Sequence, residues 1–168
     1  MYKKKLRSLV ILIPSYNELI NLKRFIIKLN KEYNVLVIDD YSIDGTFSWL
    51  KKNKINVKRN KKNVGYEKSI LNGFNHILKN KNYKYVLTMD ADGQHLKSDI
   101  KKFLFKNIYM YDVVVGLRKE KNRFIEKIIS YYFSKFYNIK DPLSGFKLYK
   151  LKNFLKVKNL NYVHFQNK

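Results

Sequence analysis

The residues best suited to chemistry stand together in Met89-Asp90-Ala91-Asp92-Gly93-Gln94-His95. Two carboxylates at i and i+2 on an extended segment project to the same side, and small Ala91 and Gly93 leave room for a bulky ligand. Oxygen donors of this kind suit Mg²⁺ or Mn²⁺, which complete their shells with phosphate oxygens and water. A turn in which the Asp side chains cap the following helix is the competing reading of Asp-x-Asp taken alone. What favours the cation is the company it keeps. Six of the chain's 13 acidic residues, Glu18, Asp39, Asp40, Asp44, Asp90 and Asp92, fall in segments that directly follow predicted strands. His95 reads as a polar loop residue, and His76, His95 and His164 have no metal-ligand spacing.

The elements that must position these carboxylates alternate along the chain. Strands are predicted over Leu9–Ile13, stopped by Pro14, and over Val35–Ile38, Ile55–Lys58, Tyr85–Met89 and Asp112–Val115. Between them the apolar spacing predicts helices over Glu18–Lys31, Thr46–Lys52, Tyr66–Leu78 and Leu96–Lys106, with another over Phe124–Tyr137. Strands alternating with helices of this length indicate an α/β fold built on a parallel sheet with helices on both faces. In such a sheet the segments after strands one, two and four emerge on the carboxyl edge, where ligands bind.

Composition bounds the function classes. The 168 residues carry 36 Lys plus Arg against 13 Asp plus Glu, a net charge of +23, with 45% hydrophobic residues. That is a globular domain able to bury a core, too apolar for a disordered basic tail. The absence of Cys excludes a disulfide scaffold, a Cys-ligated zinc site and a thiol nucleophile, and suits a reducing compartment. No apolar run approaches the ~20 residues that span a bilayer, and basic Met1–Arg7 leads into only a short apolar run before Pro14. The charge suits nucleic acid, an anionic membrane surface or anionic small substrates, although abundant Lys, Asn, Ile, Tyr and Phe also fit an AT-rich coding sequence. No helix-turn-helix, RNP or zinc-finger pattern accompanies it, so nucleic acid is not the expected partner. Neither a dinucleotide fingerprint, a P-loop nor a Gly-x-Ser-x-Gly elbow occurs.

Five ordered segments carry a resemblance. Ile13-Pro14-Ser15-Tyr16-Asn17-Glu18, Val37-Ile38-Asp39-Asp40-Tyr41-Ser42-Ile43-Asp44-Gly45-Thr46, Asn63-Val64-Gly65, Asp90-Ala91-Asp92-Gly93-Gln94-His95 and Lys140-Asp141-Pro142-Leu143-Ser144-Gly145-Phe146 resemble family 2 glycosyltransferases. Asp-Ala-Asp-Gly-Gln-His and Asp-Pro-Leu-Ser-Gly-Phe are most similar to the dolichyl-phosphate mannose synthase branch, which glycosylates polyprenyl phosphates. The resemblance covers about Leu9 to Tyr149.

It implies a GT-A (Rossmann-like) fold with a mostly parallel central sheet. Pro14, Tyr16, Glu18 and Asp40 would bind the nucleoside of a nucleotide-diphosphate sugar, GDP-mannose or a UDP-hexose. Asp90, Asp92 and Gln94 would hold Mg²⁺ or Mn²⁺ on the donor diphosphate, with Ala91 beside them. Arg118, in Gly116-Leu117-Arg118, would face phosphate. The implied reaction is inverting in-line transfer to a dolichyl or undecaprenyl phosphate, with Asp92, Arg118 and Asp141 as the catalytic set. Asp141 would orient the acceptor, bind a second cation or act as base; alternatively it only fixes the turn before Pro142.

The pattern also departs from the family. Glu126 stands roughly where the branch has an Arg, so Lys127 or Arg123 would have to substitute, and Arg and Lys are not equivalent phosphate ligands. The family's catalytic domain continues well past Ser-Gly-Phe, whereas this chain stops at Lys168, which suggests a truncated C-terminal part or a membrane-anchoring partner that supplies the remainder. The expected organisation is a single glycosyltransferase domain over 1–168, with a donor-binding core over 8–118, an acceptor-side segment over 119–150 and a short tail over 151–168. Apolar residues on Arg123–Tyr137 fit either an interfacial helix on anionic lipid or a helix packed on the sheet. The expected location is cytoplasmic, peripheral at the cytoplasmic membrane face, in cell-envelope biogenesis. The competing functions are transfer to a saccharide acceptor, a basic nucleic-acid-binding module, and an inactive truncated homologue.

Overall fold

The segment Leu-Val-Ile-Leu-Ile-Pro-Ser forms β1 (Leu9–Ser15) and is buried at every position, as expected of a strand covered on both faces. The computed structural model describes residues 8–79, 82–93, 97–105, 111–116, 131, 135, 141 and 143–152. Among them are α1 (Leu19–Asn30), β2 (Asn34–Asp39), α2 (Thr46–Lys52), β3 (Val57–Arg59), α3 (Tyr66–Leu78), β4 (Tyr85–Thr88), α4 (Lys97–Phe105), β5 (Val113–Val115) and β6 (Lys147–Lys150). The strands make one six-stranded sheet in the order β3-β2-β1-β4-β6-β5. β3, β2, β1 and β4 run parallel; β6 runs antiparallel to both β4 and β5. The α/β reading with a mostly parallel sheet is borne out.

Successive β1 side chains alternate between two cores. Leu9, Ile11 and Ile13 pack with Leu22, Ile26 and Leu29 of α1, Leu50 of α2 and Ile100, Phe103 and Leu104 of α4. Val10 and Leu12 pack with Leu36, Ile38, Val86 and, from α3, Phe74 and Ile77. Helices therefore cover both faces. Gly73 brings α3 close: a Cβ there would lie 2.8 Å from Cδ2 of Leu12, so a larger residue would push the helix off β1.

Two expectations are corrected. β1 is not stopped by Pro14 but continues to Ser15. Its pairing with β4 ends at Leu12↔Thr88, while pairing with β2 runs on through Pro14↔Ile38 and Ser15↔Asp39. The Ser15 carbonyl accepts from Asp40 on the β2 side, so by strand alternation Pro14 faces the β4 side, where the ladder has ended and no N–H is required. The second correction is β6, which the sequence pattern does not reveal and which inserts between β4 and β5. Its pairing with β4 brings Gly145, two residues before it, against Asp90. Of the expected helix over Phe124–Tyr137 only Tyr131 and Lys135 are among the described residues, and both are helical. Among the described residues no helix is long and apolar enough to cross a membrane.

Candidate active site

Beside β1 the strand order reverses, β2 and β3 lying to one side and β4 to the other, and such a switch point opens a crevice at the carboxyl ends of the strands. A cleft of about 430 Å³ lies there, lined by Pro14, Ser15, Tyr16, Glu18, Asp40, Asn63, Gly65, Tyr66, Ser69, Asp90, Ala91 and Asp92.

The first wall is a clasp between the segments that follow β1 and β2. Asn17, in the left-handed region at φ 56°, donates its N–H to Ser42 Oγ at 2.9 Å, and its Oδ1 accepts the Ile43 N–H at 2.9 Å. Asn tolerates that conformation because its side chain can bond locally. Asp44 ties two helix starts together: Oδ2 accepts from Leu19 N–H at 3.0 Å and Oδ1 from Thr46 N–H at 2.9 Å. Burial pushes the Asp44 carboxyl up, but the hydrogen bonds from Thr46 and Leu19 outweigh it and hold the group below its usual range. Glu18 accepts from Asn21 Nδ2 at 2.6 Å.

Adjacent Asp39 and Asp40 have different tasks. Asp39 is fully buried, 3.1 Å from Arg59 Nε, and its Oδ2 also accepts from Ser42 N–H at 3.3 Å. Arg59 donates to the Ser42 carbonyl at 2.6 Å and lies over the rings of Tyr41 and Phe47 at 4.8 and 5.1 Å. Asp40 instead gathers the loop after β3: its carboxylate accepts from Asn60 Nδ2 at 2.8 Å, Val64 N–H at 2.9 Å and Gly65 N–H at 2.8 Å. Burial opposes ionisation of Asp40, yet these bonds, with Ser69 nearby, keep its carboxyl below the usual range. The charge is thus secured at neutral pH.

The third wall carries Asp90 and Asp92. β4 ends at Thr88 and the chain turns through Ala91–Gly93, with Gly93 at φ +77°, so the pair sits on a turn and not on the extended segment expected. Both still line the cleft. Tyr66, the first residue of α3, donates its hydroxyl to Asp90 Oδ1 at 3.0 Å. Burial and the Asp90 charge push the Tyr66 phenol well above its usual value, which keeps it a donor. From the segment that leads into β6, Gly145 presses on the same carboxylate: a Cβ there would lie 2.6 Å from Asp90 Cγ. Thr88 Oγ1 donates to the Gly145 carbonyl at 2.8 Å and fixes that approach.

This donor set fits a hard divalent cation. The oxygens are carboxylates, and the cradle between Tyr66 and Gly145 admits Asp90 in one place. Among the described residues no three His, Cys, Asp or Glu side chains cluster as a complete metal shell. A cation held by this pair would therefore complete its coordination with ligand oxygens and water, as Mg²⁺ and Mn²⁺ do beside phosphates.

Of the expected site residues, Pro14, Tyr16, Glu18, Asp40, Asp90, Ala91 and Asp92 come together in the cleft. Gln94 and Arg118 lie outside the described residues. Asp141 is 1% exposed and does not line the cleft; its carbonyl accepts from Ser144 N–H at 3.4 Å, closing the turn that leads to Gly145. Tyr66, Asn60 and Gly145 are contributors with no site role assigned from the sequence, and so are Ser15, Asn63, Gly65 and Ser69 of the cleft lining. Only the turn residues around Asn63-Val64-Gly65 pointed towards Tyr66.

Residues 10–163 match the glycosyl transferase family 2 profile, which takes in every wall of this cleft. The chain belongs to glycosyl transferase family 2. A protein of Methanocaldococcus jannaschii without an assigned function is 34% identical over 169 residues, which cover 88% of this chain and 73% of the relative. CsbB of Bacillus subtilis, named as a candidate glycosyltransferase, is 32% identical over 157 residues, covering 82% of this chain and 46% of CsbB. Among solved structures, this family 2 chain is similar to mannosyl-3-phosphoglycerate synthase of Rubrobacter xylanophilus, with TM-score 0.69 and 17% identity over 91% of this chain and 57% of the synthase. It is also similar to glucosyl-3-phosphoglycerate synthase of Mycobacterium tuberculosis in complex with Mn²⁺, UDP-glucose and glycerol 3-phosphate, with TM-score 0.67 and 15% identity over 89% and 59% of the two chains. These likenesses show the GT-A fold. The chain spans less than two thirds of CsbB and of both synthases.

Proposed function

We propose that this family 2 chain carries the donor site of an inverting, divalent-metal-dependent glycosyltransferase. The sugar would pass from a nucleoside-diphosphate sugar to a polyprenyl phosphate at the cytoplasmic membrane face. The observation that carries the donor half is the convergence of Pro14, Tyr16, Glu18 and Asp40 with Asp90 and Asp92 on one cleft at the switch point. The Mn²⁺ and UDP-glucose bound by the M. tuberculosis synthase support a nucleotide-sugar donor and a divalent cation here, with UDP the first nucleotide to try and GDP the second.

In this reading the cleft divides by chemistry. Tyr16, which is 47% exposed, offers a ring to the nucleoside beside Pro14, and Glu18 and Asp40 supply acceptors to base or ribose. Asp90 and Asp92, with Gln94, hold the cation against the diphosphate. The cation, when bound, neutralises the charge that builds on the departing nucleoside diphosphate. Arg118 would add a fixed positive charge on the same side. A phosphate-ester acceptor, with a second pKa of about 6, is largely ionised at neutral pH and demands no strong base. Buried Asp141 accordingly serves the acceptor side through the turn it closes. The proposed organisation keeps the donor core over 8–118 and an acceptor-side segment over 119–150 in one domain.

Calorimetry with UDP and with GDP, each with and without Mn²⁺, tests the donor site. Metal-dependent binding of one nucleotide, lost in Asp92→Ala, is expected; equal binding with and without Mn²⁺ would overturn the metal-dependent reading. Donor-dependent labelling of a lipid extract tests the acceptor. Labelled saccharide or sugar-phosphoglycerate with unlabelled lipid would replace polyprenyl phosphate by that acceptor.

A further inference from the structure

We propose that Tyr66 is the positioning residue of the cation site, its hydroxyl fixing the carboxylate plane of Asp90 at 3.0 Å. The inference rests on reading Asp90 as a cation-holding residue. The terminal torsion of an aspartate is broad and roughly two-fold, so Asp90 left to itself would sample many carboxylate orientations. Contacts from α3 and from the segment before β6 restrict it. Gly145 lies against the carboxylate on one side, so tightly that no Cβ fits, and the Tyr66 hydroxyl holds Oδ1 from another element.

Tyr66 is itself held in place by the second carboxylate of the cleft. Asp40 accepts the Val64 and Gly65 N–H groups at 2.9 and 2.8 Å, and Gly65, at φ +86°, makes the turn from which α3 starts. Tyr66 is the next residue and the first of that helix. Ser69, one turn on, is fully buried and accepts from Asn60 Nδ2 at 2.9 Å, the same amide that binds Asp40. The end of β2 therefore sets the start of α3, and the start of α3 sets the carboxylate at the end of β4. Tyr66 as a whole is half exposed and belongs to neither core cluster, while its hydroxyl reaches inward to Asp90.

Outer hydrogen bonds of this kind are typically worth about tenfold to a hundredfold in metal affinity. The test compares wild type, Tyr66→Phe and Asp92→Ala by titrating Mn²⁺ against the paramagnetic signal of the free ion, and by measuring UDP affinity with and without Mn²⁺. For Tyr66→Phe, Mn²⁺ affinity is expected to fall about tenfold, and the gain in UDP affinity brought by Mn²⁺ to shrink by the same factor. A role confined to general support of the cleft would weaken UDP equally with and without metal and leave that ratio unchanged, which would overturn the proposal. Mn²⁺ affinity within twofold of wild type would also overturn it. A wild-type chain that takes up no Mn²⁺ would overturn the cation site itself, an outcome distinct from a variant that binds as wild type does.

Discussion

Gly145 and Asp90, far apart in the chain, approach so closely that the position of a hydrogen atom on one decides the room left to the other. A methyl group on Gly145 would stand 2.6 Å from the Asp90 carboxyl carbon, and the Gly145 carbonyl is fixed by the Thr88 hydroxyl at 2.8 Å. The backbone of the segment that leads into β6 is thus one wall of the carboxylate site. Gly145 is in this structure a spacer residue for chemistry carried by another element.

Gly145→Ala is accordingly expected to cost metal-dependent nucleotide binding more than it costs the fold. Either Asp90 rotates away or β6 slides along β4, and overpacking of this kind costs about 1–3 kcal/mol. Calorimetry with UDP and Mn²⁺, alongside a thermal melt, separates the two; retained metal-dependent binding would show that the segment yields without disturbing Asp90.

Among the described residues Arg59 is the one cation paired with Asp39. Asp39 is fully buried, and its Oδ1, like Ser15 Oγ, has no hydrogen-bond partner among the described residues. Removing one partner of a buried pair leaves an uncompensated charge, a cost of about 3–5 kcal/mol when both are buried and less here because Arg59 is about a third exposed. Arg59→Ala is expected to destabilise by about 2–3 kcal/mol in urea unfolding. Arg59→Lys should recover under half of that, since a single ammonium cannot bond Asp39, donate to the Ser42 carbonyl and stack on Tyr41 and Phe47 together.

The pH dependence of stability has an acidic limb through Asp40. Its folded carboxyl sits below the ordinary value of 3.8, so its contribution is complete above that value and is lost as pH falls through the lower, folded one. Asp40→Asn should therefore cost about 2 kcal/mol at pH 7, the scale of hydrogen bonds to a charged group, with the difference from wild type shrinking below pH 3.8. Urea unfolding at pH 7, 4 and 3 measures it; a constant difference across the series would sink the assignment.

An alkaline limb is expected from Tyr149. Burial beside Phe74, whose ring meets it edge-on at 5.1 Å, pushes its phenol from 10.0 up to about 12. A raised folded value means stability that is full below pH 10 and lost as pH rises towards 12. Tyr149→Phe should lessen that limb, leaving the part carried by the raised phenol of Tyr66, and should cost about 1 kcal/mol at pH 7 for the lost hydrogen bond with Thr88. An unaltered alkaline slope in the variant would count against it.

What the sequence revealed follows from the range of the forces involved. Helices α2 and α3 were legible to their end residues because their signals are local: the turn residues Ser42, Asp44 and Gly45 before α2, and Ser69, Gly73 and Ile77 along one side of α3. β6 was not, since Lys-Leu-Tyr-Lys is too short to show alternation and becomes a strand only by pairing with β4 and β5. The clustering of Asp40, Asp90 and Asp92 followed from expecting parallel strands, whose following segments share one edge of the sheet. Their individual surroundings did not: nothing in Asp39-Asp40 says that the first meets Arg59 and the second a loop of backbone N–H groups. Tyr66 was one Tyr among 14, and only its place at the start of α3 distinguishes it.

The antiparallel insertion of β6 also orders events in time. Thr88 and Lys147 meet across 59 residues, whereas the β3-β2-β1-β4 half closes within the first 88 residues. A chain leaving the ribosome can pair that half early, with one side of β4 still lacking a neighbour and its backbone groups open to any passing strand. Docking of β6 caps that edge and, in the same movement, seats Gly145 on Asp90. Nascent chains cut short before residue 147 would then present a nucleoside wall with no finished cation cradle and an adhesive sheet edge, so competence to bind metal and resistance to aggregation are gained together.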